Sequence, residues 1–120
     1  MGAVEKAVRR IGRKTLKTLS LRASFELAEF EPDTVVLVLG HGWRTPIPWS
    51  CIEGIPQFLD NSCVRVNSDL SHPAPDTLDG YLKAAGVQRR AGNYVAAVLV
   101  EARIVEAVPG SPLRIRLPAQ

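Results

Sequence analysis

The last third of this chain most narrows what it can fold into. Leu78, Tyr81, Leu82 and Ala85 recur at the three- and four-residue steps of a helix, and Gly86 follows them as a stop. Asp76 stands just ahead of the run, where a short acceptor side chain caps a helix start. A second stripe, Tyr94, Val95, Val98, Leu99 and Ala102, predicts a helix over 91–103. The period then changes. Residues 104–108 and 113–117 read as two strands, with Leu113, Ile115 and Leu117 alternating against Arg114 and Arg116. Pro109, Gly110, Ser111 and Pro112 between them have the composition of a turn. Helix, turn, helix, hairpin is therefore the expected order over 76–117.

Upstream, 24–30 and 34–39 read as strands joined by a turn at Glu31, Pro32 and Asp33. The unbroken apolar run at 35–39 suits a strand covered on both faces. Trp43, Thr45 and Ile47 alternate with Arg44 and Pro46, which predicts a third strand ending at Pro48 and confined to an edge by Pro46. Ser50 and Glu53 have the spacing of a capping box, so a helix is expected from near Cys51. Gly54 and Pro56 interrupt it, by a kink or by opening a second short turn through Leu59. Val64 and Val66 share one face of a short strand over 63–67, and 68–75 is a polar loop. At the start, Val4, Val8, Ile11, Thr15 and Leu19 keep helical spacing, predicting one helix over 3–19 broken only by Gly12.

These elements make an α+β domain: a basic N-terminal helical segment over 1–22, then a single unit over 23–120 with an antiparallel three-stranded sheet and the helix–helix–hairpin. At 120 residues and 46% apolar content the chain can bury one core. Its apolar runs fall far short of the roughly 20 residues of a membrane span. No apolar leader with a small-residue cleavage site opens the chain, and Lys6 stands where a myristoylation signal needs Ser or Thr. Cys51 and Cys63 are expected reduced and buried, in a cytoplasmic setting.

Charge is uneven. Residues 1–22 carry Lys6, Arg9, Arg10, Arg13, Lys14, Lys17 and Arg22 against Glu5 alone, a net of +6. The remaining residues net −3, which counts against a uniformly basic nucleic-acid binder. The first segment is thus a candidate to track phosphates through Arg9, Arg10, Arg13 and Lys14, or to lie solvated against the sheet. Its apolar face lacks aromatic residues, which weakens a membrane reading. Its arginine-rich, acid-poor composition is also that of a transit peptide.

The order of elements over 76–117 resembles the second half of a winged-helix (helix-turn-helix) domain. The resemblance covers about a third of the chain and rests on a pattern of elements, without a residue signature. It implies that the helix from Ala91 is a recognition helix, with Gln88, Arg89, Arg90 and Asn93 at its N-terminal side. It also places Arg114 and Arg116 on a wing that touches the nucleic-acid backbone. Glu101 and Glu106 would repel phosphate, and units of this kind also serve as dimerisation or protein-docking modules.

Residues 40–49 hold two tryptophans, a histidine, an arginine and two prolines. Trp43 and Trp49 are candidates to stack on bases, or else core anchors of the third strand. His41, Cys51, Cys63 and His72 are metal-ligating residue types, but none lies in a close pair, so no metal is expected. No phosphate-binding glycine loop, zinc-protease motif or nucleophile with a visible base occurs, so no cofactor and no enzymatic activity are expected. The expected function is a non-enzymatic nucleic-acid-binding accessory or regulatory protein. The alternative is a protein-interaction module, a homodimer or a subunit of a larger assembly.

Overall fold

In the computed structural model, which describes residues 2–67, 73–87 and 90–118, the first helix is shorter than its apolar stripe. Helix α1 is Ala3–Ile11 and buries Val4 and Val8. Gly12 ends it in the left-handed region, at φ +76°, where a residue with a Cβ is strained. The chain continues as strand β1, Lys14–Lys17, whose Leu16 is buried between exposed neighbours. The expected helix over 3–19 is thus corrected to a helix and a strand. A stretch with one large apolar residue in four fits either period, and pairing of β1 with the next strand decides between them.

That next strand is β2, Ser24–Phe30, followed by β3, Thr34–Leu39, a 3₁₀ turn at Gly40–Gly42, and β4, Trp43–Pro48. Their antiparallel order β1-β2-β3-β4 makes a four-stranded sheet, one strand more than expected. Pro46 does lie on an edge strand. One face of the sheet sets Leu16, Phe25, Leu27, Leu37, Leu39 and Ile47 into the core.

Two short helices follow, α2 at Trp49–Glu53 and α3 at Ile55–Leu59, the latter opened by Pro56. The expected capping box is absent. Pro48 holds the N-cap of α2, and no side chain caps it. Glu53 instead turns to α1, where its Oε2 accepts the Glu5 N–H at 2.6 Å. A first-turn N–H, which has no partner within the helix, at the positive end of α1 is a strong attraction for a carboxylate. Strand β5, Val64–Arg65, then leads to α4, Leu78–Ala84, and α5, Gly92–Glu101. The cap of α4 is Thr77 and not Asp76: the Thr77 Oγ1 accepts the Gly80 N–H at 3.0 Å. The strands of the hairpin are shorter than their alternation suggested, with β6 at Glu106–Val108 and β7 at Arg114–Arg116. These strands form a second antiparallel sheet in the order β5-β7-β6.

Helix α5 lies between the layers, in contact with α1, β1 and α4. Gly92, Val95, Ala96, Ala97, Val98 and Leu99 are all buried, so the helix is apolar on more than one stripe. Its N-terminus is held by Asp79, whose Oδ1 accepts the Gly92 N–H at 2.9 Å. The approach leaves no room for a side chain at Gly92. A Cβ there would stand 2.3 Å from Asp79 Oδ1 and 2.8 Å from the Val66 carbonyl oxygen. Gly92→Ala should therefore lower unfolding stability by about 1–3 kcal/mol in urea titration. Gly40→Ala, which meets open space, should stay within about 0.5 kcal/mol of the parent.

Candidate functional site

Three of the seven cations of the first segment, Arg9, Arg13 and Lys14, are tied to the fold. Arg9 pairs with Glu5 at 2.8 Å, donates to the Glu31 carbonyl at 2.9 Å, and lies 4.9 Å from the centre of the Trp49 ring. Arg13 donates to the Ala28 carbonyl at 2.8 Å, and Lys14 pairs with Glu101 at 2.7 Å. Arg10 is exposed and shares a shallow concavity with Lys14, Glu101 and Arg103. These residues sit by the C-terminal end of α5. Across the sheet, Arg44 binds Glu29 and holds its carboxyl below the usual carboxylate range.

The residues expected on the second helix sit at the opposite end of α5. Arg90 is exposed just before it, and Gln88 and Arg89 lie outside the described residues. Asn93 is half-buried, and its Oδ1 accepts from Asn67 Nδ2 at 3.1 Å. On the hairpin, Arg114 is half-buried and Arg116 pairs with Glu106 at 2.5 Å. A ten-residue helix is about 15 Å long, so roughly that length separates the two expected cationic groups. The structure does not bring them together.

The two tryptophans part company. Trp49 is 4% exposed, stacked on Phe30 at 6.5 Å, with its Nε1 donating to the Glu31 carbonyl at 2.7 Å. It is a core anchor, the second of the two expected readings, and offers no face to a base. Trp43 is 52% exposed at the start of β4.

What the structure does bring together follows from the sheet register. Lys17 lies opposite Ser24, Glu26 opposite Val38, and Leu39 opposite Trp43. The connection 18–23 and the turn Gly40–Gly42 therefore close the same end of the sheet. The N-terminal part of α5 packs there, since Tyr94 meets Phe25 edge-on at 5.2 Å. Arg22, in that connection, shares a concavity of about 480 Å³ with Arg65, Asn67, Gly110, Ser111, Pro112 and Leu113. Two guanidinium groups, an amide and a hydroxyl line it, with no carboxylate among its described lining residues. Three other concavities each carry at least one: Glu26 and Glu29 in the first, Glu101 in the second and Asp60 in the third. Arg65, Asn67 and the turn at 110–112 were not singled out as site residues from sequence. Arg22 is the last cation of the basic segment over 1–22, and only the pairing of β1 with β2 places it in a hairpin connection.

Other chemistry finds little support. Among the described residues no three of His, Cys, Asp or Glu gather as metal ligands, and His72 lies outside them. No described helix is long and apolar enough to cross a membrane. Cys51 is buried, and burial pushes its thiol pKa up, while Cys63 is exposed, which corrects the expectation that both are buried. No protein-family model, curated protein or solved structure matches the chain. A raised thiol pKa leaves less thiolate at neutral pH, and burial blocks the reagent as well. Native protein should thus react with a thiol-specific chromogenic disulfide in two phases, fast at Cys63 and slow at Cys51. The variant Cys63→Ser should lose the fast phase.

Proposed function

We propose that the chain is a non-enzymatic, cytoplasmic nucleic-acid-binding accessory or regulatory protein that grips phosphates at the end where α5 begins. One observation carries this reading: the concavity lined by Arg22, Arg65, Asn67 and the 110–113 turn, which gathers two guanidinium groups, an amide and a hydroxyl. Guanidinium groups bind phosphate oxygens through paired N–H donors, and amide and hydroxyl groups complete such contacts.

The order α2–α3, β5, α4, α5, β6, β7, with β5 beside β7, supports taking residues 49–117 as a winged-helix-like unit. On that reading the 109–113 turn is the wing, and the start of α5 is the end nearest the nucleic acid. The burial of α5 favours one other reading, a docking or dimerisation module. Of its helical residues only Glu101 is exposed.

Titration of the protein against labelled oligonucleotides at two salt concentrations tests the proposal. Binding should weaken steeply as salt rises. Arg22→Gln should lower the logarithmic salt slope by about 1 and weaken all sequences alike, whereas Arg10→Gln should leave both unchanged. No binding at low salt overturns the proposal. A dimer in size measurements without nucleic-acid affinity selects the docking module.

A further inference from the structure

Resting on the phosphate contact proposed above, we infer that the nucleic acid taken at this end is a single strand and not a duplex. Two features beyond the arginines carry it. First, α5 cannot enter a major groove. Gly92 and residues 95–99 are buried, Asn93, Tyr94 and Val100 are half-buried, and the exposed Glu101 is an acid at the far end. Reading of base edges in duplex DNA requires an exposed helical or strand face that fits the groove.

Second, the most open large apolar side chains among the described residues are Leu21 at 72% and Trp43 at 52%, both at this end of the sheet. Leu21 is in the connection that also carries Arg22, and Trp43 stands on β4 across β2 and β3. Strand spacing puts the two roughly 10–15 Å apart. A duplex keeps its bases stacked on one another and shows only edges and phosphates. An exposed apolar side chain reaches a base face there only where a base step is pried open, at the cost of its stacking energy. A single strand has unstacked bases, and each gains from stacking on an aromatic ring while its phosphates lie against arginine. Indole, isobutyl group and arginine-lined concavity at one end thus match the chemistry of a single strand. Because every base has a π-face, recognition should tolerate sequence.

The test measures anisotropy of labelled single strands of about 15 nucleotides, DNA and RNA, against a duplex of the same length. The single strands should bind more tightly than the duplex. Trp43→Ala should weaken single-strand binding roughly 5- to 150-fold, and Trp43→Phe, which keeps a ring, should weaken it less. Binding should also quench the emission of the exposed indole, and Trp43→Phe should abolish that quenching, since Trp49 is buried. Thermal unfolding of each variant checks that the fold is intact. Duplex binding equal to or tighter than single-strand binding, or unchanged affinity in an intact Trp43→Ala, overturns this inference and leaves the phosphate contact standing. Absence of binding to every oligonucleotide overturns both.

Discussion

From Ala91 to Leu99 the chain puts seven residues almost wholly out of water: Ala91, Gly92, Val95, Ala96, Ala97, Val98 and Leu99. Val95, Val98 and Leu99 each gain about 1.5–3 kcal/mol from that burial. A helix apolar on several sides needs cover on several sides. Here α1 and β1 supply one part of the cover, and α4 another. The N-terminal layer and the helix–helix–hairpin unit therefore share α5 and are not independent. Small residues make the approach possible, because Ala96, Ala97 and Gly92 let neighbouring backbone come close.

Burying the start of α5 would strand polar backbone groups, and the structure answers with carboxylates. Asp79 takes the Gly92 N–H, and its own N–H donates to the Val66 carbonyl at 3.1 Å, so α4, α5 and the end of β5 are joined through one residue. Glu53 does the same for α1 from the far end of α2. Each unpaired buried donor would cost about 1–3 kcal/mol. These acids belong to the architecture, and counting them against the basic residues understates the positive character of the surface.

The same burial moves the functional question from the side of α5 to its end. A helix enclosed by its own domain cannot lie in a groove, yet its N-terminal end remains beside Arg65, Asn67 and the 110–113 turn. The sheet register adds Arg22 and Trp43 from the other layer. A surface made from five separate stretches of chain has no signature in any one of them. That is why the arginines of the concavity were not legible as a group, and why the basic segment drew attention instead. In the folded chain three of the segment's seven cations, Arg9, Arg13 and Lys14, are engaged by Glu5, Glu101 and backbone carbonyls.

By itself the sequence determined the elements whose side-chain period is long and unambiguous: α4, α5, β2, β3, β4 and the β6–β7 hairpin, and with them the α+β class. Period is a local property, written in consecutive residues. Tertiary structure decided what depends on distant partners. Lys14–Lys17 became a strand because β2 offers it a ladder. Glu53 capped another helix because α1 presented its N–H groups. Trp43 and Trp49, alike in a sequence, went to solvent and to core because one opens an edge strand at the sheet's end and the other starts a helix packed under Arg9 and Phe30. The helix–helix–hairpin read most plainly from sequence was retained, but its central helix was enclosed by the layer before it. Whether an apolar stripe is one face or the whole helix depends on what else packs against it, and period alone does not carry that information.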